Sequence, residues 1–189
     1  TIKADKIDVG GSLKAESEIV VEDLDVGGTV NIAGGQVKGG IDVGGTFESN
    51  KPLSFKSIDV GGKVTLIGES KGGKIDVGGT LNVDGDLKVE DIDVGGTVDI
   101  KGNAEGESID VGGKVGIDKN LTLTKKLEVG GTAEAGEVLK AESIEIGGSL
   151  NARRIDCKDS VDVGVSLDTG ECVKASEFEI GRKGEIKGP

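Results

Sequence analysis

Apolar and polar residues follow a pattern along this chain that repeats every 17 residues. The pattern opens with the motif Ile-Asp-Val-Gly-Gly at Ile7 and recurs in eleven copies, with a single 18-residue step. The copies begin at Ile7, Leu24, Ile41, Ile58, Ile75, Ile92, Ile109, Leu127, Ile144, Val161 and Phe178. Self-similarity at a fixed period is typical of solenoids, in which each repeat packs only on its neighbours.

Within one copy, three pairs of apolar residues each enclose one polar residue, at positions 1 and 3, 7 and 9, and 13 and 15. In one copy these pairs are Ile75 and Val77, Leu81 and Val83, and Leu87 and Val89. Alternation with period two and many β-branched residues predict three short strands per copy. Gly-Gly at positions 4 and 5, and Gly, Asp or Asn near positions 11 and 12, predict tight corners with positive φ.

Three strands and three corners in 17 residues predict one triangular coil that stacks on the next. The sequence therefore predicts an all-β, right-handed parallel β-helix, or β-solenoid, with a triangular cross-section and about eleven 17-residue coils in a single domain, 1–189. Right-handed crossing is the rule for parallel strands. At a spacing of about 4.8 Å per coil the rod would be roughly 50 Å long. Helical repeats are excluded because glycine costs a helix about 1 kcal/mol per residue.

Two copies depart from the pattern on their third edge. The segment 34–40 contains four glycines and is predicted to have lost its apolar pair, while Ile155 and Cys157 fall one place early. A bulge or loop at a solvent-facing corner explains both departures, and a binding notch is the alternative.

Position 2 carries a carboxylate in every copy and lies between two inward-pointing residues, so each carboxylate is predicted to face solvent. This acidic ladder consists of Asp8, Asp25, Asp42, Asp59, Asp76, Asp93, Asp110, Glu128, Glu145, Asp162 and Glu179. At about 4.8 Å in water, neighbouring charges repel by roughly 0.9 kcal/mol before screening. The ladder is interpreted as a solvated face that resists sideways aggregation of sheets. The alternatives are binding of divalent cations and docking of a basic partner.

The two ends of the pattern carry strand-like residues rather than a visible cap, and a bare coil edge is a template for another chain. The sequence therefore predicts a homopolymer formed through the terminal coils. The candidate contact residues are Ile2, Ala4, Phe178, Ile180 and Ile186. The alternative is a soluble monomer whose C-terminal edge is protected by Arg182, Lys183 and Lys187.

The amino-acid composition argues against most kinds of enzymatic catalysis. The chain has no His, two Cys and 2% aromatic residues, so the commonest metal ligand and the commonest acid-base catalyst are missing. We expect no catalytic residues, no cofactor and no metal site. A net charge of -12 argues against a nucleic-acid partner, and no apolar run approaches the roughly 20 residues of a transmembrane helix. Cys157 and Cys172 are expected to be free thiols, which suits a reducing compartment.

The segment Ile92–Ile100, with an outward acid between apolar residues and a Gly-Gly corner, resembles the repeat of the bactofilins, which are polymer-forming cytoskeletal proteins. The resemblance implies a right-handed triangular β-helix that assembles end to end without nucleotide, in the cytoplasm and often as a scaffold at the membrane. This chain has more coils than is usual in that family. It shows neither a proline-rich tail nor an apolar N-terminal segment, so peripheral membrane association has no support in its residues.

The sequence therefore predicts a non-catalytic structural protein that self-assembles end to end into filaments, as a cytoplasmic scaffold. An extracellular fibre, adhesin stalk or surface β-solenoid is the alternative, and a signal peptide before Thr1 would favour it. A solenoid enzyme is a third hypothesis. It is disfavoured because the copies are nearly uniform and long loops are absent.

Overall fold

The structure is a computed structural model that describes residues 1–186, and these residues form strands joined by bends, without any helix. All strand pairing is parallel and joins the strands into one continuous sheet. The all-β solenoid predicted from the repeat is confirmed. Its handedness and triangular cross-section stay predictions. Lys187, assigned above to the C-terminal edge, lies outside the described residues.

Strand bounds follow the three apolar pairs of each copy, and a few strands continue through a corner. The described strands are β1 (Ile2–Val9), β2 (Ser12–Ala15), β3 (Ile19–Val26), β4 (Thr29–Ile32), β5 (Gly35–Val43), β6 (Thr46–Ser49), β7 (Leu53–Val60), β8 (Lys63–Ile67), β9 (Ser70–Lys71), β10 (Lys74–Val77), β11 (Thr80–Asp84), β12 (Leu87–Lys88), β13 (Asp91–Val94), β14 (Thr97–Ile100), β15 (Ala104–Gly106), β16 (Ser108–Val111), β17 (Lys114–Ile117), β18 (Leu121–Leu123), β19 (Lys126–Val129), β20 (Thr132–Ala141), β21 (Ser143–Ile146), β22 (Ser149–Cys157), β23 (Ser160–Val163), β24 (Ser166–Thr169), β25 (Val173–Lys174), β26 (Glu177–Ile180) and β27 (Lys183–Ile186).

The 17-residue step is the register of the sheet. Ile58 pairs with Ile41 in the coil before it and with Ile75 in the coil after it. The 18-residue step pairs Ile109 with Leu127, and its extra residue lies in the corner that follows Leu123. A longer corner therefore leaves the strands on either side in register.

The core is a stack of inward side chains running along the coils. From Leu24 to Val163, every residue at positions 1 and 3 is at most 3% exposed. Burying a Val, Leu or Ile side chain contributes about 1.5–3 kcal/mol relative to leaving it exposed. Polar residues also occupy core positions: buried Ser49 donates a hydrogen bond to the carbonyl oxygen of Lys51 at 2.9 Å, and the buried Ser70 hydroxyl accepts one from the Leu53 N–H at 3.3 Å.

The two irregular edges remain part of the sheet. Ile155 pairs with Leu139, one place early as predicted. The predicted loss of the apolar pair in segment 34–40 holds for one of its two places: Gly35, which has no side chain, pairs with Ile19, whereas Val37 is fully buried and pairs with Val21. The corner before this edge is one residue shorter than in the coil before it, and the corner after it is one residue longer. Both inward positions of this edge therefore fall one residue earlier in the copy.

The reason predicted for the Gly-Gly corners was also wrong. Positive φ occurs only at Gly34, Gly35, Gly68 and Gly85 among the described residues, all near positions 11 and 12. The Gly-Gly pairs instead lie where successive coils touch, since a Cβ built on Gly78 would lie 2.5 Å from the carbonyl oxygen of Gly61. The close approach of two backbones favours glycine there.

Candidate functional site

The acidic ladder is a physical column on the outside of the rod. Each member pairs in register with the next, from Asp8 with Asp25 at one end to Asp162 with Glu179 at the other. Every member is exposed or half-buried. One carboxylate per coil therefore faces solvent along the whole length of the described chain.

Three lysines interrupt the negative charge of the ladder, and the sequence analysis did not identify them. Lys126 lies just before position 1 of its copy, and its Nζ is 2.7 Å from Glu128 Oε2 and 2.8 Å from Glu145 Oε2. The hydrogen bonds that Lys126 donates to these two carboxylates raise the pKa of Lys126 above its ordinary value. Lys6 and Lys74 occupy the same position in their own copies and also pair with ladder carboxylates. A tabulation of the residue before position 1 would have shown this lysine column.

Like charges dominate in the middle of the ladder. Within residues 1–186, no lysine or arginine lies at ion-pair distance from Asp93 or Asp110. Partial burial raises the pKa of Asp110, and the neighbouring charges of Glu128 and Asp93 raise it further. The folded protein therefore disfavours the ionised form of this carboxyl group.

The ladder does not gather its carboxylates into a cluster. In the part of the chain that the structure describes, no three Asp, Glu or Cys side chains are placed to hold a metal ion together. A single file of carboxylates, one per coil, contributes charge and hydration to one side of the rod.

A second polar column, also missed by the sequence analysis, lies at the corner near position 12. The Asn103 side chain donates to Asp86 Oδ1 at 3.1 Å and accepts from Asn120 Nδ2 at 3.0 Å. Asn120 Nδ2 also donates to Glu137 Oε2 at 2.9 Å. Asp86, Asn103 and Asn120 line two neighbouring grooves beside this corner. Because they satisfy one another from coil to coil, they stabilise the stacking of this corner.

The N-terminal end face exposes side chains that interior coils bury. Ile2 is 40% exposed, Ala4 is also exposed, and Ile7 and Leu13 are half-buried. Strands β1 and β2 pair with β3 and β4 on one edge only, within the described residues. The opposite edges present backbone donors and acceptors together with apolar side chains.

The C-terminal end face has the same character. Phe178 is 41% and Ile186 is 51% exposed, while Ile180 is half-buried. Strands β25, β26 and β27 pair with β22, β23 and β24, and no later strand covers them among the described residues. Arg182 and Lys183 are exposed beside this face. The structure thus places the five candidate contact residues on two opposite ends of the rod.

The two cysteines lie near the C-terminal end, and both are free thiols. Cys157 is buried, and its Sγ donates to the carbonyl oxygen of Glu142 at 3.1 Å. Burial raises the pKa of the Cys157 thiol. Its place on the inward side of β22 is that of a small core residue.

No family model, no curated protein and no solved structure matches this chain. Within residues 1–186, none of the structure is a helix with the length and apolar character needed to span a membrane. The end faces and the acidic ladder are therefore the features on which a functional proposal rests.

Proposed function

We propose that this protein is a non-catalytic structural rod that self-associates end to end into filaments, as a cytoskeletal scaffold. The observation that carries the proposal is the contrast between ends and interior. Interior coils bury their inward side chains almost completely, whereas Phe178 and Ile186 leave about half of theirs to solvent. An uncovered strand edge beside exposed apolar side chains is a template for pairing with another chain.

The energetics favour association that depends on protein concentration. Burying a fully exposed apolar side chain contributes about 1.5–3 kcal/mol, of which covering the remaining 41% of Phe178 supplies a part, and each new backbone hydrogen bond adds about 0.5–1.5 kcal/mol. The loss of translational and rotational freedom opposes these gains by roughly 4–15 kcal/mol. Exceeding that cost requires the burial of several side chains and the backbone pairing of one whole coil. A complete end face supplies both.

The acidic ladder complements growth at the ends. Its carboxylates give one side of every rod the same charge, so rods repel one another when they approach through that side. Association through the end faces brings together far less of the ladder. The repeat also resembles that of the bactofilins, whose filaments form by stacking solenoids, and this resemblance supports the same proposal.

Variants of the end residues test the proposal. We expect the unmodified chain to form rods longer than one protein as concentration rises, seen by light scattering after size exclusion and by negative-stain microscopy. Ile2→Lys and Phe178→Lys should each reduce assembly by at least tenfold, because each places a charge on an apolar end face. Ile67→Lys is the matched control, since Ile67 is 38% exposed but lies on the side of the rod.

Two results would contradict the proposal. One is a chain that stays monomeric at high concentration under several salt conditions. The other is assembly that Ile67→Lys abolishes and Phe178→Lys leaves intact, which would indicate sideways contacts. Circular dichroism of each variant verifies that the solenoid still folds.

We also propose that the rod acts in the cytoplasm, since Cys157 and Cys172 are both free and disulfides are rare in reducing compartments. An extracellular fibre would share the fold and the end faces. Fractionation of cells that express the full-length gene product separates the two locations. Recovery in the extracellular fraction would overturn the cytoplasmic assignment without affecting the proposed assembly.

A further inference from the structure

The inward side chains of the second edge become smaller towards the C-terminal side of the rod. In residues 75–123, which we call the central coils, position 9 holds large aliphatic residues, namely Val83, Ile100 and Ile117. In the next three coils the same position holds Ala135, Ala152 and Thr169, which are at most 4% exposed. We call residues 132–169, which run from β20 to β24, the small-core segment.

Small residues lie directly on small residues in this segment. Ala135 pairs with Ala152, and Ala152 pairs with Thr169, whereas Ile100 pairs with Ile117 in the central coils. The burial of apolar area drives the stacking of coils, so the second edge contributes less to stacking in the small-core segment. The first edge keeps large residues at positions 1 and 3 of this segment.

The central coils also contain small inward residues, but these are confined to one coil. Ala104 lies on the third edge between Leu87 and Leu121, which pair with it from the coils on either side. Both leucines are at most 1% exposed. Alternation of large and small residues lets neighbouring layers interdigitate, which a run of small residues does not allow.

A buried hydroxyl group adds to the difference between the two regions. Thr169 is fully buried, yet within residues 1–186 its Oγ1 has no hydrogen-bond partner. The other such buried atom in the part of the chain that the structure describes, Arg154 Nε, lies in the same segment. Ser49 and Ser70 are as buried as Thr169, but each forms a hydrogen bond with a backbone group. An unpaired buried hydroxyl favours the open state of its coil, because opening returns the group to water.

We infer that the small-core segment opens and recloses while the central coils stay stacked, so that the rod contains a built-in unit of local unfolding. Local opening is easiest where little apolar surface is buried and where polar groups lack partners. Neighbouring coils depend on one another for burial, so adjacent weak layers open together. This inference goes beyond the proposed assembly and concerns a single rod.

An internal control separates the effect of small core residues from nearness to the end of the described chain. Thr169 on β24 pairs with Ile186 on β27, which is the last described strand of the second edge. Ile32 on β4 has the corresponding place at the other end, since it pairs with Ala15 on β2. Ile32 is large and fully buried. Strand β4 therefore measures how much a coil frays at this distance from an end.

Hydrogen exchange followed by mass spectrometry tests the inference on protein dilute enough for light scattering to show single rods. When reclosing is faster than exchange, the rate of exchange reports the free energy of local opening. We expect amides of β22 and β24 to exchange about tenfold faster than amides of β14 and β17, because the weakest layers open first. The amides of β4 should exchange more slowly than those of β24.

Thr169→Val tests the contribution of the buried hydroxyl. Valine keeps the shape of threonine and removes the unpaired group, so exchange in β22 and β24 should slow by about tenfold while exchange in β14 stays the same. Thr122→Val is the matched control, because Thr122 is exposed on β18. The control should leave exchange unchanged in all these strands.

Cys157 provides a second readout of opening. Its side chain is 4% exposed on the inward side of β22, and Cys172→Ser leaves it as the only thiol of the chain. An aromatic disulfide reagent reacts with the exposed thiolate, which forms a mixed disulfide and releases a coloured aromatic thiolate. Adding Thr169→Val to Cys172→Ser should slow this reaction by the same factor as it slows hydrogen exchange.

Three results would overturn the inference. The first is equal exchange in β24, β22 and β14. The second is exchange in β4 as fast as in β24, because nearness to an end would then explain both. The third is a Thr169→Val variant that keeps the circular dichroism of the solenoid but changes neither exchange nor labelling of Cys157. All of these measurements use single rods, so their failure would leave the proposed end-to-end assembly untouched.

Discussion

At the scale of single residues, the spacing between coils decides which side chains fit at each corner. The first glycine of the pair occurs in all eleven copies, whereas Val165 and Arg182 replace the second one near the C-terminal end. Sequence reasoning assigned the glycines to positive φ because that is their commonest use in turns. Only the packing of one coil on another shows that the missing Cβ is what matters at these corners.

Replacing an interior corner glycine should therefore destabilise the rod. In Gly78→Ala the new methyl group would lie 2.5 Å from the carbonyl oxygen of Gly61, so the two coils must move apart. We expect a loss of about 1–3 kcal/mol in the free energy of unfolding, the usual cost of overpacking. Urea unfolding followed by circular dichroism measures it.

Gly116→Ala is the matched control for this change. Gly116 is an interior glycine on β17, and a Cβ there would have its nearest neighbour, the carbonyl oxygen of Val98, at 3.9 Å. Alanine should leave the stability unchanged or raise it by up to about 1 kcal/mol, because it reduces the freedom of the unfolded chain. Equal losses in both variants would contradict the close-approach explanation.

The repulsion between neighbouring carboxylates of the acidic ladder should be measurable as a change in stability at one of its residues, Asp110. The pKa of Asp110 is raised in the folded protein, so its ionised form costs stability at neutral pH and its protonated form does not. Asp110→Asn should therefore raise the free energy of unfolding at pH 7 by about 0.5 kcal/mol. The gain should disappear as pH falls below the pKa of an unfolded aspartate, near 4.

Asp99→Asn controls for the loss of a carboxylate as such. Asp99 also faces outward, but its neighbours in register are Asn82 and Gly116, which carry no charge. The control should show no comparable gain at pH 7. A gain at Asp110 that persists at pH 3, or that Asp99→Asn reproduces, would show that repulsion in the ladder is not the cause.

At the scale of coil edges, strand positions could be predicted because inward and outward residues alternate with period two. Corner lengths could not be predicted, since a corner can gain or lose a residue without altering the alternation on either side. Val37 illustrates this, because it keeps its inward place although the preceding corner is shorter. The acidic ladder could be predicted for the same reason, because the outward residue at position 2 is acidic in every copy. The columns of lysine and asparagine occupy only some coils, so their signal was weaker.

The asparagine column predicts a local loss of stability. Asn120→Ala would remove the acceptor for the Val138 N–H, at 3.2 Å, and the donor to Asn103 Oδ1. We expect a cost of about 1–3 kcal/mol, since partly buried polar groups lose their partners. Thermal unfolding at matched protein concentration measures it.

Asn82→Ala is the corresponding control. Asn82 faces outward from β11 and makes no side-chain hydrogen bond with another part of residues 1–186. Its replacement should change the stability by less than about 0.5 kcal/mol, as is usual for surface positions. Similar losses in the two variants would indicate that the hydrogen-bonded column contributes nothing specific.

At the scale of the whole molecule, each coil depends on the coils beside it for burial and for backbone hydrogen bonds. Within the described residues a terminal coil has only one such neighbour, and in the proposed assembly a second copy supplies the other. The proposed assembly would continue the folding pattern rather than form a separate kind of contact.

The orientation of the strand spacing within an assembled filament tests this account most directly. In a filament formed by stacking rods end to end, diffraction or the power spectrum of electron micrographs should show a reflection near 4.8 Å along the filament axis. The filament should also be a single rod wide. A 4.8 Å reflection perpendicular to the axis, or a protein that remains as separate rods at every concentration, would contradict the account.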